Sequence, residues 1–453
     1  MSTRPATPAG SKREQSLVAP GGSAPESRDA PAQRPDPASP DKTDGNILSR
    51  RLVVWIFIAF ASGHFLSYGL RTINAALAPY LVADLELGAA DLGWLSASYY
   101  IAFAALQYPL GFWLDRYGER RVESLLLVIA ACGAALMAFA PSLTWMTWGR
   151  ILIGLGVSAC LMAPFAWFRR HFPPQRQSQL GLLLLVAGTS GAATATLPAA
   201  TLAIWLGWRG VFLIFAVLLL LSAALIWSIV PDGRPAAVNR HAGAEAKPNN
   251  SAGQRSLIRH PIMLSVMALA FIGHGGLMAL HTLWAGPWMT DVLGIAPTWA
   301  ASYLLVFMVT MLLSYLTMSF VAPRLQRRGL SMLRIAAYGN GLSALLIVLI
   351  AVLPYPWAWL LWPLLAIAFP ANSLLQPGLS VLFPRQMAGR VMTLYNLYLF
   401  SGAFAVQWGM GLLIEGLQSA GLSSTAAFQF TLGGLGILFW VALLWWWRRG
   451  GLG

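Results

Sequence analysis

Charge is what this chain has least of: 10% of its 453 residues are Asp, Glu, Lys or Arg, against 57% hydrophobic ones, and mean hydropathy is +0.63. A soluble domain of that length has no core large enough to hide so much apolar surface, so a water-soluble fold is excluded. Cysteine is almost missing. Cys132 and Cys160 both fall within apolar stretches, so no disulfide framework and no thiolate metal site is expected, and each reads as a small packing residue. Acidic residues number 16 against 30 basic ones, yet the net charge of +14 is scattered over short loops with no contiguous basic face, which removes nucleic acid as a partner. No phosphate-cradling loop and no catalytic pair stands out. The chain therefore reads as no enzyme, with no cofactor and no resident metal, and any work it does must draw on a gradient.

What is present is a series of apolar segments. Residues 1–50 are rich in Ala, Pro, Ser, Asp and Arg with little to bury, and are expected to be a disordered cytoplasmic tail. From Arg51 onward twelve segments are each long enough to cross roughly 30 Å of hydrocarbon as a helix. They fall at 53–81, 91–113, 121–140, 144–168, 178–202, 207–230, 262–290, 298–322, 331–353, 357–382, 391–415 and 425–447. Alternate loops carry the basic residues, among them Arg50-Arg51, Arg169-Arg170, Arg324, Arg327-Arg328, Arg385, Arg390 and Arg448-Arg449, whereas the other set holds Asp84, Glu86, Asp91, Asp291 and Glu415 with Arg209 as its clear exception. Because Lys and Arg are retained inside, both termini are expected in the cytoplasm. The polar stretch 231–260 divides the chain into bundles of six at 51–230 and 261–448. The fold class is thus an all-α membrane protein.

Between the second and third segments lies Gly111-Phe112-Trp113-Leu114-Asp115-Arg116-Tyr117-Gly118-Glu119-Arg120-Arg121. Gly111 allows close helix approach, Gly118 supports a tight turn, and the three arginines cannot cross hydrocarbon. The stretch resembles the signature loop of the major facilitator superfamily, twelve-helix secondary transporters, and the resemblance extends over about residues 52–447. It implies a bacterial inner-membrane protein, a monomer in the lipid bilayer, carrying a small-molecule solute. It also implies that Gly111, Asp115, Arg116, Gly118, Arg120 and Arg121 form a conformational latch that breaks as the two halves rock. A second copy, Pro323-Arg324-Leu325-Gln326-Arg327-Arg328-Gly329, places Gln326 where the first has Asp115, so the acidic member comes from the first half alone.

The repeat also pairs residues deeper in the membrane. An offset of 210 residues sets His64 on His274 and Arg71 on His281. Within each segment the two are seven apart, about 20° in direction, so they share a face, which Ser67, Tyr68 and Met278 join. Arg71 is costly in hydrocarbon and must meet water, a carboxylate or an anion, the bland option being to reach up to the outer interface. The run Arg71-Thr72-Ile73-Asn74-Ala75-Ala76-Leu77-Ala78-Pro79-Tyr80-Leu81 resembles the end of the first helix in organophosphate and organic-anion branches of the superfamily, where such an Arg grips the anion. Met278, His281 and Thr282 stand where phosphate antiporters carry a second Arg, which favours a monoanion. Nitrate-type members use Arg in helices two and eight and an Asn in helix five. Here Gln107 and Gly188-Thr189-Ser190-Gly191 stand instead. No Asp or Glu is expected at mid-depth in any segment, so His64, His274 or His281 would carry a coupling proton.

Secondary candidates are Asn372, Ser373 and Gln376 between Pro370 and Pro377, with Asn396, Gln407, Gln107 and Arg150, any of which could equally stitch helices. The expected function is a secondary transporter of a small organic anion working by alternating access. Two alternatives stay open: a copper importer using Met263, Met267, His274, Met278 and His281, and a transport-inactive receptor or scaffold of the same fold.

Overall fold

The computed structural model describes residues 49–172, 174–232, 261–383 and 388–449. The tail 1–48, most of the predicted linker (233–260) and Arg385 lie outside them. No strand occurs among the described residues. Helix α1 spans Arg50–Leu85, opened by Ser49, whose hydroxyl accepts from the Leu52 amide, and closed by Glu86 at φ 51°. Next come α2 (Ala89–Tyr117) and α3 (Glu119–Ala138), separated by Gly118 alone at φ 80°. At that φ a side chain would be strained, so the two-helix turn needs glycine there.

The predicted fourth segment is not one helix. It consists of α4 (Leu143–Gly156) and α5 (Met162–His171), joined by a turn over 157–161. The boundary between segments five and six is also displaced: α6 (Pro174–Thr194) ends early, and α7 (Leu197–Ile229) continues through a kink at Gly207, φ 69°. The hydroxyls of Ser190, Thr194 and Thr196 all donate to backbone carbonyls one turn back, competing with the helix at its end. Hydropathy is blind to that competition.

After the described gap, α8 (Ile262–Val292) alternates α-helical turns with π-helical stretches at Ala270–Gly275, Leu280–Trp284 and Trp288–Val292. It is followed by α9 (Pro297–Arg327), α10 (Met332–Val352), α11 (Leu361–Ser373), α12 (Leu375–Val381), α13 (Ala388–Ser419) and α14 (Ser424–Arg448). Among the described residues, eight helices are long and apolar enough to cross a membrane.

Before residue 232, α3 packs on α4 and α7, and α1 on α6 and α7; after residue 261, α10 packs on α11 and α14. Between these two sets, α1 meets α8, α2 lies along α13, and α6 lies along α9. The outward face is apolar, with Leu125, Trp205, Phe320 and Ile437 all more than half exposed, as an oily solvent requires. The two sets leave a space between them.

Candidate solute cavity and its two ends

That space is a cavity of about 470 Å³. From α1 it receives His64, Ser67, Tyr68 and Arg71, and from α8 His274 and Met278, so the stripe expected from the repeat does face one chamber. Gln376 and Ser373 join it, as do Gln107 and Asn396. His281 lines a smaller recess of about 70 Å³ that shares Tyr68, Arg71, His274 and Met278 with the main cavity. Both α8 histidines sit on π-helical stretches, whose wider turns shift the register of the side chains relative to a plain α-helix.

Arg71 does not run to the outer interface. Its guanidinium carbon lies 4.6 Å from the centre of the Tyr68 ring, 5.4 Å from Phe103, and 5.9 Å from both Tyr99 and Phe400. Its Nε donates to the Tyr99 hydroxyl at 3.5 Å. Ring faces hold a cation without neutralising it. Among the described residues Arg71 has no carboxylate partner: the three ion pairs are Arg121 with Asp232, Arg170 with Glu119, and Arg209 with Asp84. The last pair also satisfies Arg209, the basic exception in the otherwise acidic set of loops.

Some expected contributors do other work. Asn372 is buried between α10 and α11, where its amide donates to the Ser343 hydroxyl at 2.9 Å, and it is not among the lining residues. Gln407 is buried too and is not among the lining residues; its main-chain carbonyl accepts from Trp284 Nε1 at 3.1 Å, and its side-chain oxygen has no partner. Arg150 donates to the Leu70 carbonyl at 2.8 Å. His274 Nδ1 is 3.0 Å from the Tyr395 hydroxyl and His281 Nδ1 is 2.8 Å from the Leu277 carbonyl. Met263 and Met267 are fully buried outside the cavity wall, so they do not extend the His–Met stripe into a copper cage.

The cavity opens on one side. A second space of about 440 Å³ shares Gln107, Met162, Phe165 and Asn396 with it and reaches Gly111, Asp115 and Arg169, the signature loop. Gly111 was expected at a close helix contact. Here it is exposed, with nothing within 4 Å of where its Cβ would be, because the helices have parted at this end. Asp115 is exposed and has no ion pair among the described residues, while Arg116 rests on Phe112 and Tyr117, Arg120 on Trp227, and Arg121 on Asp232.

The opposite end is shut. Gly286 of α8 meets the backbone of Ala75 in α1, and Gly411 of α13 meets that of Ala89, approaches that leave no room for a Cβ. Tyr100 and Thr282 share a hydrogen bond of 2.8 Å, and Trp94 packs on Trp408 with ring centres 5.0 Å apart. Glu415 accepts from the Ala90 amide at 2.9 Å, placing a carboxylate on the N-terminus of α2, where the helix dipole favours it.

The family model described as Major Facilitator Superfamily matches residues 60–407. The chain belongs to that superfamily. Among superfamily relatives, the Niacin transporter NiaP of Acinetobacter baylyi is 29% identical over 189 residues, covering 41% of this chain and 40% of that protein. The Chloramphenicol resistance protein of Pseudomonas aeruginosa is 29% identical over 176 residues, covering 37% and 39%. The match thus spans less than half the length of these relatives. A solved D-xylose-proton symporter shares the fold with TM-score 0.71 at 16% identity, over 87% of this chain and 97% of that one.

As expected of that superfamily, the chain carries multiple apolar helices, eight of them among the described residues long enough to cross a membrane. Sequence reasoning missed two of its features. Phe103, Phe400 and Tyr99, which surround Arg71, looked like ordinary apolar-helix aromatics. Glu123, just over a turn into α3 and so short of the mid-depth where no acid was expected, is fully buried with both oxygens unpartnered. Two residues from Arg121 and near a helix end, it carries no signal of burial in the sequence.

Proposed function

We propose that this protein is a secondary active transporter with twelve helices in two six-helix bundles, both termini cytoplasmic, moving a small organic monoanion across a bacterial inner membrane by alternating access. The observation that carries the reading is Arg71: a cation in the wall of a chamber, bounded by aromatic faces, with no internal carboxylate to satisfy it among the described residues. A buried charge without a counterion is stabilised by taking one from solution, and a charge-assisted hydrogen bond to it contributes about 1.5–3 kcal/mol. One guanidinium with histidines opposite suits one negative charge. The rings of Tyr68, Phe103 and Phe400 suit a flat, partly apolar body, and the volume is in the range of small-molecule sites. The relative named for niacin is consistent with such a cargo.

Cationic cargo is disfavoured by the same charge. Arg71, His64, Tyr68, His274, Met278, His281 and Gln376 are assigned to the solute, and the signature loop to the latch. The test is flux of radiolabelled nicotinate and benzoate into vesicles holding the purified protein. Saturable uptake is expected, weakened by Arg71→Gln by about tenfold or more in affinity, about 1.4 kcal/mol or more. Flux indifferent to that change would sink the anion reading, and no flux of any anion would favour a transport-inactive scaffold.

A further inference from the structure

Glu123 has no role in the solute cavity, yet it is the best-hidden acid among the described residues: its exposure is 0% and neither oxygen has a hydrogen-bond partner. It lies just over a turn into α3, with Oε1 3.0 Å from where a Cβ on Gly63 of α1 would stand, a tight approach to that helix. Leu127 and Ser222 border the same gap, but the Ser222 hydroxyl is engaged with Ser62 at 2.8 Å.

No cation among the described residues reaches it. On its own helix, Glu119 is ion-paired with Arg170 of α5, and Arg120 lies over Trp227 of α7. From α5, His171 is stacked on Trp167. From α4, Arg150 is tied to Leu70. The group that faces Glu123 from another element is Cys160, whose thiol is turned to the carboxyl; His64, the residue after Gly63, turns its ring to the Cys160 backbone on the other side of that residue. The α4–α5 turn is therefore a thin partition. Its Val157, Ser158 and Leu161 line the solute cavity, while Cys160 lies on the Glu123 side. His64 lines the cavity as well, and both of its ring nitrogens are without partners.

We propose that Glu123 is the proton-binding site of this transporter. It holds one proton while the cavity is open on the signature-loop side. As access alternates and the α4–α5 turn flexes, water enters beside Cys160. The carboxyl O–H bond breaks, that water accepts the proton and passes it to a ring nitrogen of His64 in the cavity, and cavity water removes it from there. The carboxylate left behind later regains a proton by the reverse path. An uncompensated carboxylate cannot stay in a dry, cation-free gap, and the break in the fourth segment is the element that can let water in. A monoanion on Arg71 favours the proton on His64, so the two move together and the loaded protein carries no added charge. The coupling rests on the anion reading given above; the protonation of Glu123 does not.

The experiment uses the full chain in lipid vesicles. Infrared spectra at neutral pH are expected to show the C=O stretch of a protonated carboxylic acid, absent in Glu123→Gln. A pH gradient is expected to drive accumulation of labelled nicotinate by the wild type, insensitive to membrane potential. Glu123→Gln loses that accumulation but keeps exchange at equal pH on both sides, and Glu123→Asp recovers part of it. A wild-type spectrum without the band overturns the proposal even if the Gln variant cannot be recovered. So does gradient-driven accumulation undiminished in Glu123→Gln. Wild-type vesicles that exchange no nicotinate overturn the cargo reading instead, and the band then decides about Glu123 by itself.

Discussion

A guanidinium among ring faces keeps its charge but gives up its water, and on that combination the proposed selectivity of Arg71 for anions rests. Other polar residues serve a different end. Asn372 donates to Ser343 across the α10–α11 contact, so Asn372→Leu is expected to lower thermal stability in detergent by about 1 kcal/mol while leaving nicotinate affinity unchanged, read by melting with and without ligand. An affinity loss would put Asn372 back among the solute contacts. The sequence made Arg71 and the histidines conspicuous because polar side chains seven apart in apolar helices share a face. It could not separate Asn372 from Gln376, since which helix a side chain meets depends on tertiary packing. Glu123 was hidden by its neighbours: an acid beside two arginines reads as solvated until a partner helix is seen lying over it.

At the level of elements, the helices were legible in outline and their interruptions were not. Apolar runs show where hydrocarbon is crossed, but the turn at 157–161 and the end of α6 at Thr194 are set by hydroxyl-to-backbone bonds and packing that leave hydropathy unchanged. The meeting of α1 and α8 at Gly286 illustrates how one missing Cβ governs an element. Gly286→Val places a methyl-bearing carbon into the Ala75 carbonyl and is expected to hold the outer ends apart. Spin labels at Val82→Cys and Trp299→Cys, in a Cys132→Ala background, should report longer separations than in the parent. Unchanged separations would mean that α8 can bend around the clash, which its π-helical stretches make the specific alternative.

For the whole molecule, two acids sit at opposite ends in opposite conditions: Asp115 is free where the halves have parted, and Glu415 is engaged on α2 where they touch. Under the proposed alternation these roles exchange. Glu415→Gln is expected to weaken outer closure by about 0.5–1 kcal/mol, which should raise the labelling rate of an outer-facing cysteine by severalfold, whereas Asp115→Asn should leave that rate nearly as it is and slow solute exchange. Equal labelling changes in both variants would remove the division of labour. The cavity wall has a further consequence, since Arg71 belongs to one set of helices and His274 with Met278 to the other. Neither jaw owns the cargo: grafting the first half onto a relative would transplant the reader of charge and leave behind part of the mould that reads outline. A new diet would then demand paired changes on both sides of the seam.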